Sequence, residues 1–471
     1  MAAPCVNTLL PRAFVHATSF HSLMSEGRSE TTEREESVVD APSARLALEW
    51  AWPTPRRDRL QGARLTIGRD ETAAIRLDST GVSRHHAELY RQGPLYAVHD
   101  LGSTNGTWLG GKRIEHAPIS PGSVLRVGEW VGVFVETEDT APEFGELAPG
   151  LFGGSAIAAL LTTLKRAATS TLPVLLIGKT GTGKERFARA AHHFSGRGGP
   201  FLAVNCAALP EQLAEAELFG YRRGAFTGAE RASPGYFRAA HGGTLFLDEM
   251  PELSPALQAK LLRVVEDGQV TGLGESTSVA VDFRIVTASQ RPLKGLVAQN
   301  KVRQDLAARL NGVALHIPPL VERRADVAPL FAQFLKQQSG GRPPAVEGRL
   351  VEALCLHDWP QNVRELELLT RRLLVVHGHE PTLRRQHLPA ELVALSEDVG
   401  KSERASTPPR DRRAHDMERL KIELASNGGN VKAAAETLGI SRQRVYRLLD
   451  GNDAASSQSD ENGENSDGVS S

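Results

Sequence analysis

The chain has 471 residues, 24% of them charged and 40% hydrophobic, with 44 Gly and 27 Pro, which at roughly 150 residues per domain suggests about three domains. No apolar run approaches the roughly 18 residues a membrane helix needs, and Cys5, Cys206 and Cys355 have neither the number of a disulfide framework nor the spacing of a zinc site, so a cytoplasmic chain is expected with no membrane contact. At a net charge of -1, any nucleic-acid contact must come from a local basic patch rather than from bulk charge.

Residues 1–44 mix Ser, Thr, Glu and Arg without periodicity and lack the basic start and apolar stretch of a secretory signal. They read as a disordered segment, with Met24 an alternative start. From 45 to 138, short β-rich runs (RLTIG, AAIRL, HAELY, LYAVHD, VGVFVE) are separated by Gly, Asn, Asp and Pro, the pattern of an all-β domain. Residues 139–152 are acidic with Pro and Gly and read as a linker. From 153, helix-like text such as SAIAALLTTLKRAA alternates with apolar strands (PVLLIG, TLFLDE, FRIVTAS), which predicts a parallel sheet covered by helices on both faces. Near Val321 the strands stop and helical text predicts an all-helical lid ending near 395. A polar linker over 396–415 leads to a helical unit over 416–450, and residues 451–471 form a tail with five carboxylates and no base, too polar to fold.

In the β domain, Gly68-Arg69, Ser83-Arg84-His85-His86 and Thr104-Asn105 sit on three separate loops. A bidentate cation with neutral hydrogen-bond donors is what a phosphothreonine site needs. Their order and spacing resemble the forkhead-associated domain, an 11-stranded β-sandwich that binds phosphothreonine. The resemblance implies Arg69, Ser83, Arg84, Thr104 and Asn105 as phosphopeptide contacts, with Gly68 and His86 shaping the loops.

The strongest chemistry is Gly178-Lys179-Thr180-Gly181-Thr182-Gly183-Lys184-Glu185, which follows VLLI and precedes RFARAAHHF. Strand, glycine loop and helix make a phosphate cradle: backbone N–H groups and the helix N-terminus meet the anion, and Lys184 reaches the β and γ phosphates. Glu185 stands where the general pattern has Ser or Thr. The strand GGTLFLDE ends in two carboxylates, of which Asp248 would hold magnesium and Glu249 would orient or deprotonate the attacking water. Phosphoryl transfer also needs positive charge on the developing γ-phosphate oxygens. Arg303 and Arg309, six apart in VRQDLAARL, are expected on one helix pointing toward a neighbouring subunit.

Here the text resembles the AAA+ domain of bacterial sigma-54-dependent transcription activators, whose phosphate loop carries Glu after the lysine. The most specific string is Gly224-Ala225-Phe226-Thr227-Gly228-Ala229, preceded by AELFGYRR. In that family the hexapeptide lies on a loop that contacts the sigma factor and is moved by hydrolysis. The resemblance further implies Asn205 as the switch of the catalytic glutamate, Arg303 and Arg309 as trans-acting arginine fingers, and Arg364 as the second sensor. Three residues depart from the family pattern: Gln290 stands where Asn is usual as first sensor, Arg238 where Glu is usual, and Gln361 where Gly is usual. Gln290 is expected to alter water positioning, and Arg238 reverses a charge between active site and loop.

At the C-terminus, MERLKIELASN, NVKAAAETLG and SRQRVYRLLD read as three short helices with helix-turn-helix spacing. Ser441 caps the last one, and Arg442, Gln443, Arg444 and Arg447 crowd its polar face, where Arg suits guanine edges or phosphates and Gln suits adenine. The unit resembles the Fis-type domain of the same activators. The expected fold class is therefore multidomain: a forkhead-associated β-sandwich, an α/β AAA+ ATPase with helical lid, and a small all-α helix-turn-helix. The expected function is ATP- and Mg2+-dependent remodelling of sigma-54 RNA polymerase holoenzyme from double-stranded DNA, by a hexameric ring gated by a phosphothreonine-containing protein. A DNA-bound phosphopeptide adaptor, whose ATPase only sets assembly state, is the alternative kept open by Gln290 and Arg238.

Overall fold

The computed structural model describes residues 46–93, 95–136 and 142–393. The expectations for residues 1–44, for the 396–415 linker, for the acidic tail and for the helix-turn-helix with Ser441, Arg442, Gln443, Arg444 and Arg447 lie outside the described residues.

Eleven strands build the first domain: β1 (Leu46–Trp52), β2 (Arg56–Arg59), β3 (Arg64–Gly68), β4 (Ile75–Arg76), β5 (Ala87–Gln92), β6 (Leu95–Asp100), β7 (Thr107–Leu109), β8 (Lys112–Ile114), β9 (His116–Ile119), β10 (Val124–Val127) and β11 (Trp130–Glu136). They form two sheets, β2-β1-β11-β10-β7-β8 and β4-β3-β5-β6-β9. Period-2 alternation sends Leu48, Trp50, Leu89, Val98, Leu125 and Phe134 into the core between them. Gly132 packs closely there, since a Cβ would lie 2.8 Å from Leu48 Cδ1 and 3.0 Å from the Trp50 ring. Strands β10 and β11 differ from ordinary outer strands in being buried on both faces.

The expected linker carries a hairpin instead, β12 (Gly145–Ala148) with β13 (Leu151–Gly153), because Ala148 and Leu151 are apolar enough to bury. Next come α1 (Ser155–Ala168), β14 (Val174–Ile177), α2 (Lys184–Ser195), β15 (Phe201–Asn205), α3 (Glu211–Phe219), α4 (Gly235–Ala239), β16 (Thr244–Asp248), α5 (Pro255–Asp267), β17 (Gln269–Val270), β18 (Val279–Ala280), β19 (Arg284–Ser289), α6 (Leu293–Ala298), α7 (Gln304–Leu310) and β20 (Val313–His316). The sheet β15-β16-β19-β14-β20 is parallel throughout. Its strands read as continuous apolar runs because both faces are covered, as Leu175, Ile177 and Leu245 pack on one side and Val174, Leu176 and Phe246 on the other.

The lid comprises α8 (Val327–Gln338), α9 (Gly348–Leu356) and α10 (Asn362–His377), and it is not all-helical. A short parallel pair, β21 (Ala345–Val346) with β22 (Thr382–Leu383), ties the α8–α9 connection to the segment after α10. Among the described residues, no helix is long and apolar enough to cross a membrane.

Candidate functional site

Parallel register brings the carboxyl ends of four strands to one edge: Ile177 pairs with Ser289, and Asn205 with Asp248. Chain segments leaving those ends therefore meet in one crevice, the place where ligands sit in such sheets. A cavity of about 480 Å³ lies there, lined by Thr180 to Arg189 without Ala188, by Asn205, Asp248 and Glu249, and by Arg323, Val363 and Arg364 from the lid side.

The loop after β14 is shaped by glycine. Gly181 has φ +77° and its absent Cβ would fall 2.0 Å from the Gln361 carbonyl oxygen, so the loop and the lid approach backbone to backbone. Gly183, at φ +103°, starts α2 and aims that helix's free N–H groups at the cavity. Lys184 is buried, its Nζ donating to the Gly178 carbonyl at 3.1 Å and lying 3.6 Å from Glu249 Oε1. Burial raises the Asp248 carboxyl above its usual range against the pull of Lys184, with Glu249 adding to the rise. Glu249 holds a left-handed φ of +51°, a backbone state a non-glycine residue adopts only when its surroundings enforce it.

The structure separates the two residues expected beside Glu249. Gln290 Nε2 donates to Glu249 Oε1 at 3.0 Å, whereas the Asn205 side chain accepts from Ala207 N at 3.0 Å and caps the turn after β15. Glu185 forms an exposed ion pair with Arg189 at 2.7 Å. Arg303 and Arg309 do not share a helix: Arg303 is extended and precedes α7, paired to Asp305 at 2.7 Å, while Arg309 is exposed in its last turn. Neither lines the cavity of its own chain.

Several residues of the site escaped the sequence reading. Asn362, at φ +55°, donates to the Thr180 carbonyl at 2.9 Å and accepts from Leu320 N at 2.8 Å, and Val363 N donates to the Gly181 carbonyl at 3.0 Å. Arg323, buried, donates to the Thr182 carbonyl at 3.2 Å and pairs with Asp326, whose carboxyl burial pushes up to about 6. Gly150, Leu151 and Phe152 of the hairpin close the cavity's apolar side with Leu330 and Phe334. The apolar pair Leu151-Phe152 after a Pro-Gly turn was the available signal.

Fit to a nucleotide with a divalent cation is tested by this donor set. The cradle supplies backbone donors and one buried ammonium. The half-buried Asp248, with its carboxyl raised by burial, is where a cation would restore the charged form. One strand-end carboxylate suffices for magnesium, which keeps waters and substrate phosphates as its other ligands.

The hexapeptide loop lies away from this cavity. Gly224 N donates to the Ala229 carbonyl at 2.8 Å, closing the loop, and Ala229 is buried. Phe226 is 37% exposed, its ring edge-on to Tyr221 at 5.0 Å. Ala225 is half-buried, Thr227 is exposed, and nothing stands within 4 Å of a Cβ placed on Gly224 or Gly228. The reversed charge at Arg238 is compensated: Arg238 bonds both carboxylate oxygens of Glu275, one of them at 3.1 Å, and Gly272 N donates to Glu275 at 3.2 Å. The pair ties α4 to the segment 271–275, which Tyr221 also bridges at Leu273. Arg238→Glu should set two carboxylates together and raise trypsin cleavage at Arg222 and Arg223 several-fold. Arg238→Glu/Glu275→Arg should restore protection, whereas equal cleavage in all three proteins would leave the pair without a role.

In the β domain the three predicted loops do converge. A Cβ on Gly68 would lie 1.9 Å from the Arg84 carbonyl oxygen, and Arg69 N donates to the Ser83 carbonyl at 3.0 Å. Thr104 N donates to Ser83 Oγ at 3.1 Å, and Asn105 Nδ2 to the Gly81 carbonyl at 2.8 Å. His86 is fully buried, and burial lowers its pKa, so it is neutral. Its Nδ1 accepts from Ser83 N at 3.1 Å, which leaves the proton on Nε2, 3.3 Å from the Gly106 carbonyl. His86 is thus a brace between loops, and Arg69 and Arg84 stay exposed above it.

Four family profiles match the chain: the sigma-54 interaction domain over 152–316, the FHA domain over 65–128, the AAA+ ATPase lid domain over 321–405, and the bacterial regulatory protein, Fis family, over 413–450. The chain is 39% identical over 318 residues to the transcriptional regulatory protein ZraR of Klebsiella oxytoca, covering 66% of this chain and 70% of that one. It is 42% identical over 295 residues to the Nif-specific regulatory protein of Azotobacter vinelandii, covering 60% of this chain and 55% of that one. It therefore spans about half the length of the Nif-specific regulators it matches, at 55% and 42% of two of them. Among solved structures, NtrX from Brucella abortus in complex with ATP is 32% identical, with a TM-score of 0.46 and coverage of 63% of this chain and 67% of that one.

Proposed function

The chain belongs to the sigma-54-dependent transcriptional activators, and on that premise we propose that it is a cytoplasmic ATPase that binds double-stranded DNA and opens promoters for sigma-54 RNA polymerase holoenzyme under phosphothreonine control. The observation that carries this reading is the convergence of Lys184, Asp248 and Glu249 on one cavity that lid residues Arg364 and Val363 also line.

The phosphate loop from Gly178 to Glu185 holds the ATP phosphates by backbone donors and by the Lys184 ammonium. Asp248 would hold an accompanying Mg2+, which would supply positive charge for phosphoryl transfer. Glu249 accepts the proton of the attacking water, and the Gln290 amide fixes the position of its carboxylate. Arg364 reports occupancy to the lid. Arg303 and Arg309, exposed and outside their own cavity, serve the cavity of the next subunit, which requires a homo-oligomeric ring, hexameric by family resemblance. Ser441, Arg442, Gln443, Arg444 and Arg447 read the DNA.

Open-complex formation by sigma-54 holoenzyme with ATP, in the presence and absence of the protein, tests the reading. No stimulation would refute it. Thr227→Ala should leave ATP turnover within a few-fold and abolish both sigma-54 binding and promoter opening, because the loop from Gly224 to Ala229 lies apart from the phosphates. Arg69→Ala should weaken capture of a degenerate phosphothreonine peptide pool by the full chain at least about tenfold, since charge-assisted hydrogen bonds are the strong ones in such a site. Calorimetry reads that loss, and unchanged affinity would move the phosphate contact elsewhere.

The bond between Gln290 and Glu249 favours a second reading, in which the base is held back and the ATPase sets assembly state on DNA. Steady-state turnover separates the two.

A further inference from the structure

The outer sheet of the forkhead-associated domain has a second apolar face. Along β10 and β11, Leu125, Val127 and Phe134 point into the sandwich, while Val124, Val131 and Val133 point out and join a single core with Phe331, Leu350 and Val351 of the lid. At the centre of this face Arg126, itself buried, donates from Nε to Glu352 of α9 at 2.6 Å. The N-terminus of α9 is held as well, since Gly348 N donates to the carboxylate of Glu129 in the β10–β11 turn. The apolar core shared by the two domains is what resists their separation, since parting them would return it to water, and truncating either partner of the ion pair alone would strand a buried charge.

This interface is wired to the loops above it. Asn105 accepts at its carbonyl from Trp108 Nε1 at 3.3 Å, the Trp108 ring carries the Arg126 guanidinium at 4.6 Å from its centroid, and Arg126 reaches Glu352. A second contact runs beside it: the Asn105 side chain holds the Gly81 carbonyl, and Gly81 lies against Gly128, where a Cβ would come within 2.9 Å of the Gly81 oxygen. On the far side, α9 packs against α8, whose Leu330 and Phe334 line the nucleotide cavity, and Asn362 and Val363 of α10 bond the phosphate loop.

We propose that the forkhead-associated domain and the lid move as one body, and that Arg126 is the positioning residue linking the Asn105 loop to the lid's seat on the phosphate loop. The inference rests on the nucleotide reading above. The two-state element is that seat, made of the Asn362, Val363 and Arg323 bonds to the carbonyls of Thr180, Gly181 and Thr182. A ligand that biases it changes the exposed loops of the β domain, and by linkage a ligand on those loops changes nucleotide affinity by the same factor.

Hydrogen exchange of the full chain, with and without saturating ADP, tests this without any phosphopeptide. ADP should slow exchange several-fold in α9, in residues 127–130 and in the 103–108 loop. In Arg126→Met/Glu352→Met, where apolar groups of similar length replace both charges and the fold is kept, the α9 response should persist and the loop response should fall several-fold, to what the Gly81–Gly128 contact alone carries. Trp108→Phe keeps a ring under the guanidinium but removes the donor to Asn105, and it should diminish the response at 103–106 alone. A wild-type loop that ignores ADP while α9 responds, or a loop response of equal size in the double variant, would overturn the proposal. Failure of the full chain to retain a phosphothreonine peptide pool over its unphosphorylated counterpart would instead sink the phosphopeptide reading, leaving the ADP-driven loop response intact. Absence of ADP binding would sink the nucleotide reading and this inference together.

Discussion

Replacing Lys184 by alanine is expected to abolish measurable ATP binding. The ammonium sits buried at the head of α2, between the Gly178 carbonyl and the Glu249 carboxylate, so it enters the cavity as a desolvated cation in a fixed position. Hydrogen bonds to charged groups contribute about 1.5–3 kcal/mol each, and the lysine is placed to make two or more to the β and γ phosphates. A loss of about 3–6 kcal/mol corresponds to roughly a hundredfold to ten-thousandfold in affinity. The substitution also removes the charge that opposes the burial-driven rise of the Asp248 carboxyl, so the carboxylate needed for a cation is itself disfavoured. Calorimetric titration with ATP and magnesium measures the effect, and affinity within threefold of wild type would take Lys184 out of the phosphate site.

Glu249→Gln is expected to bind ATP normally and to hydrolyse it about 10²–10⁴-fold more slowly, the usual contribution of a positioned general base. The substituted side chain keeps an oxygen able to accept from Gln290 but cannot take a proton. The Glu249 side chain makes no capping bond to the turn after β16, whose first residue holds φ +51°, so that backbone geometry should persist. Phosphate release in single-turnover conditions distinguishes slow chemistry from slow exchange of product. Normal turnover would show that Glu249 is not the base and would favour the assembly-state reading.

The phosphate loop was legible because it is local: strand, glycine turn and helix start are contiguous, and the glycines declare their own backbone states. Strand-end carboxylates were legible for the same reason, as TLFLD ends where its apolar run ends. The three loops of the β domain were found as a set although they come from distant segments, because the order Gly-Arg, Ser-Arg-His, Thr-Asn is specific in combination. Helix starts were less secure. Arg303 is the extended N-cap of α7, not part of the helix, and Asp305 in the first turn holds its guanidinium.

By itself the sequence determined most of the segments that become strands and helices, though not the β12–β13 hairpin or the β21–β22 pair, and it determined where the phosphate cradle lies and which family the chain resembles, since these follow from short-range periodicity, glycine placement and contiguous motifs. Only the tertiary structure decided which polar and charged side chains meet. Arg126 and Glu352 are 226 residues apart, Gln290 and Glu249 are 41 apart, and Arg238 and Glu275 are 37 apart. No local pattern specifies such pairs. Desolvation makes each buried or half-buried charge require a partner, and sheet register with lid packing selects which partner is within reach. The double apolar face of β10 and β11 was written in VLRV and WVGVFV, but a strand buried on two sides states only that something covers it. Packing of α9 against that face, with Glu352 opposite Arg126, supplies the identity of the cover.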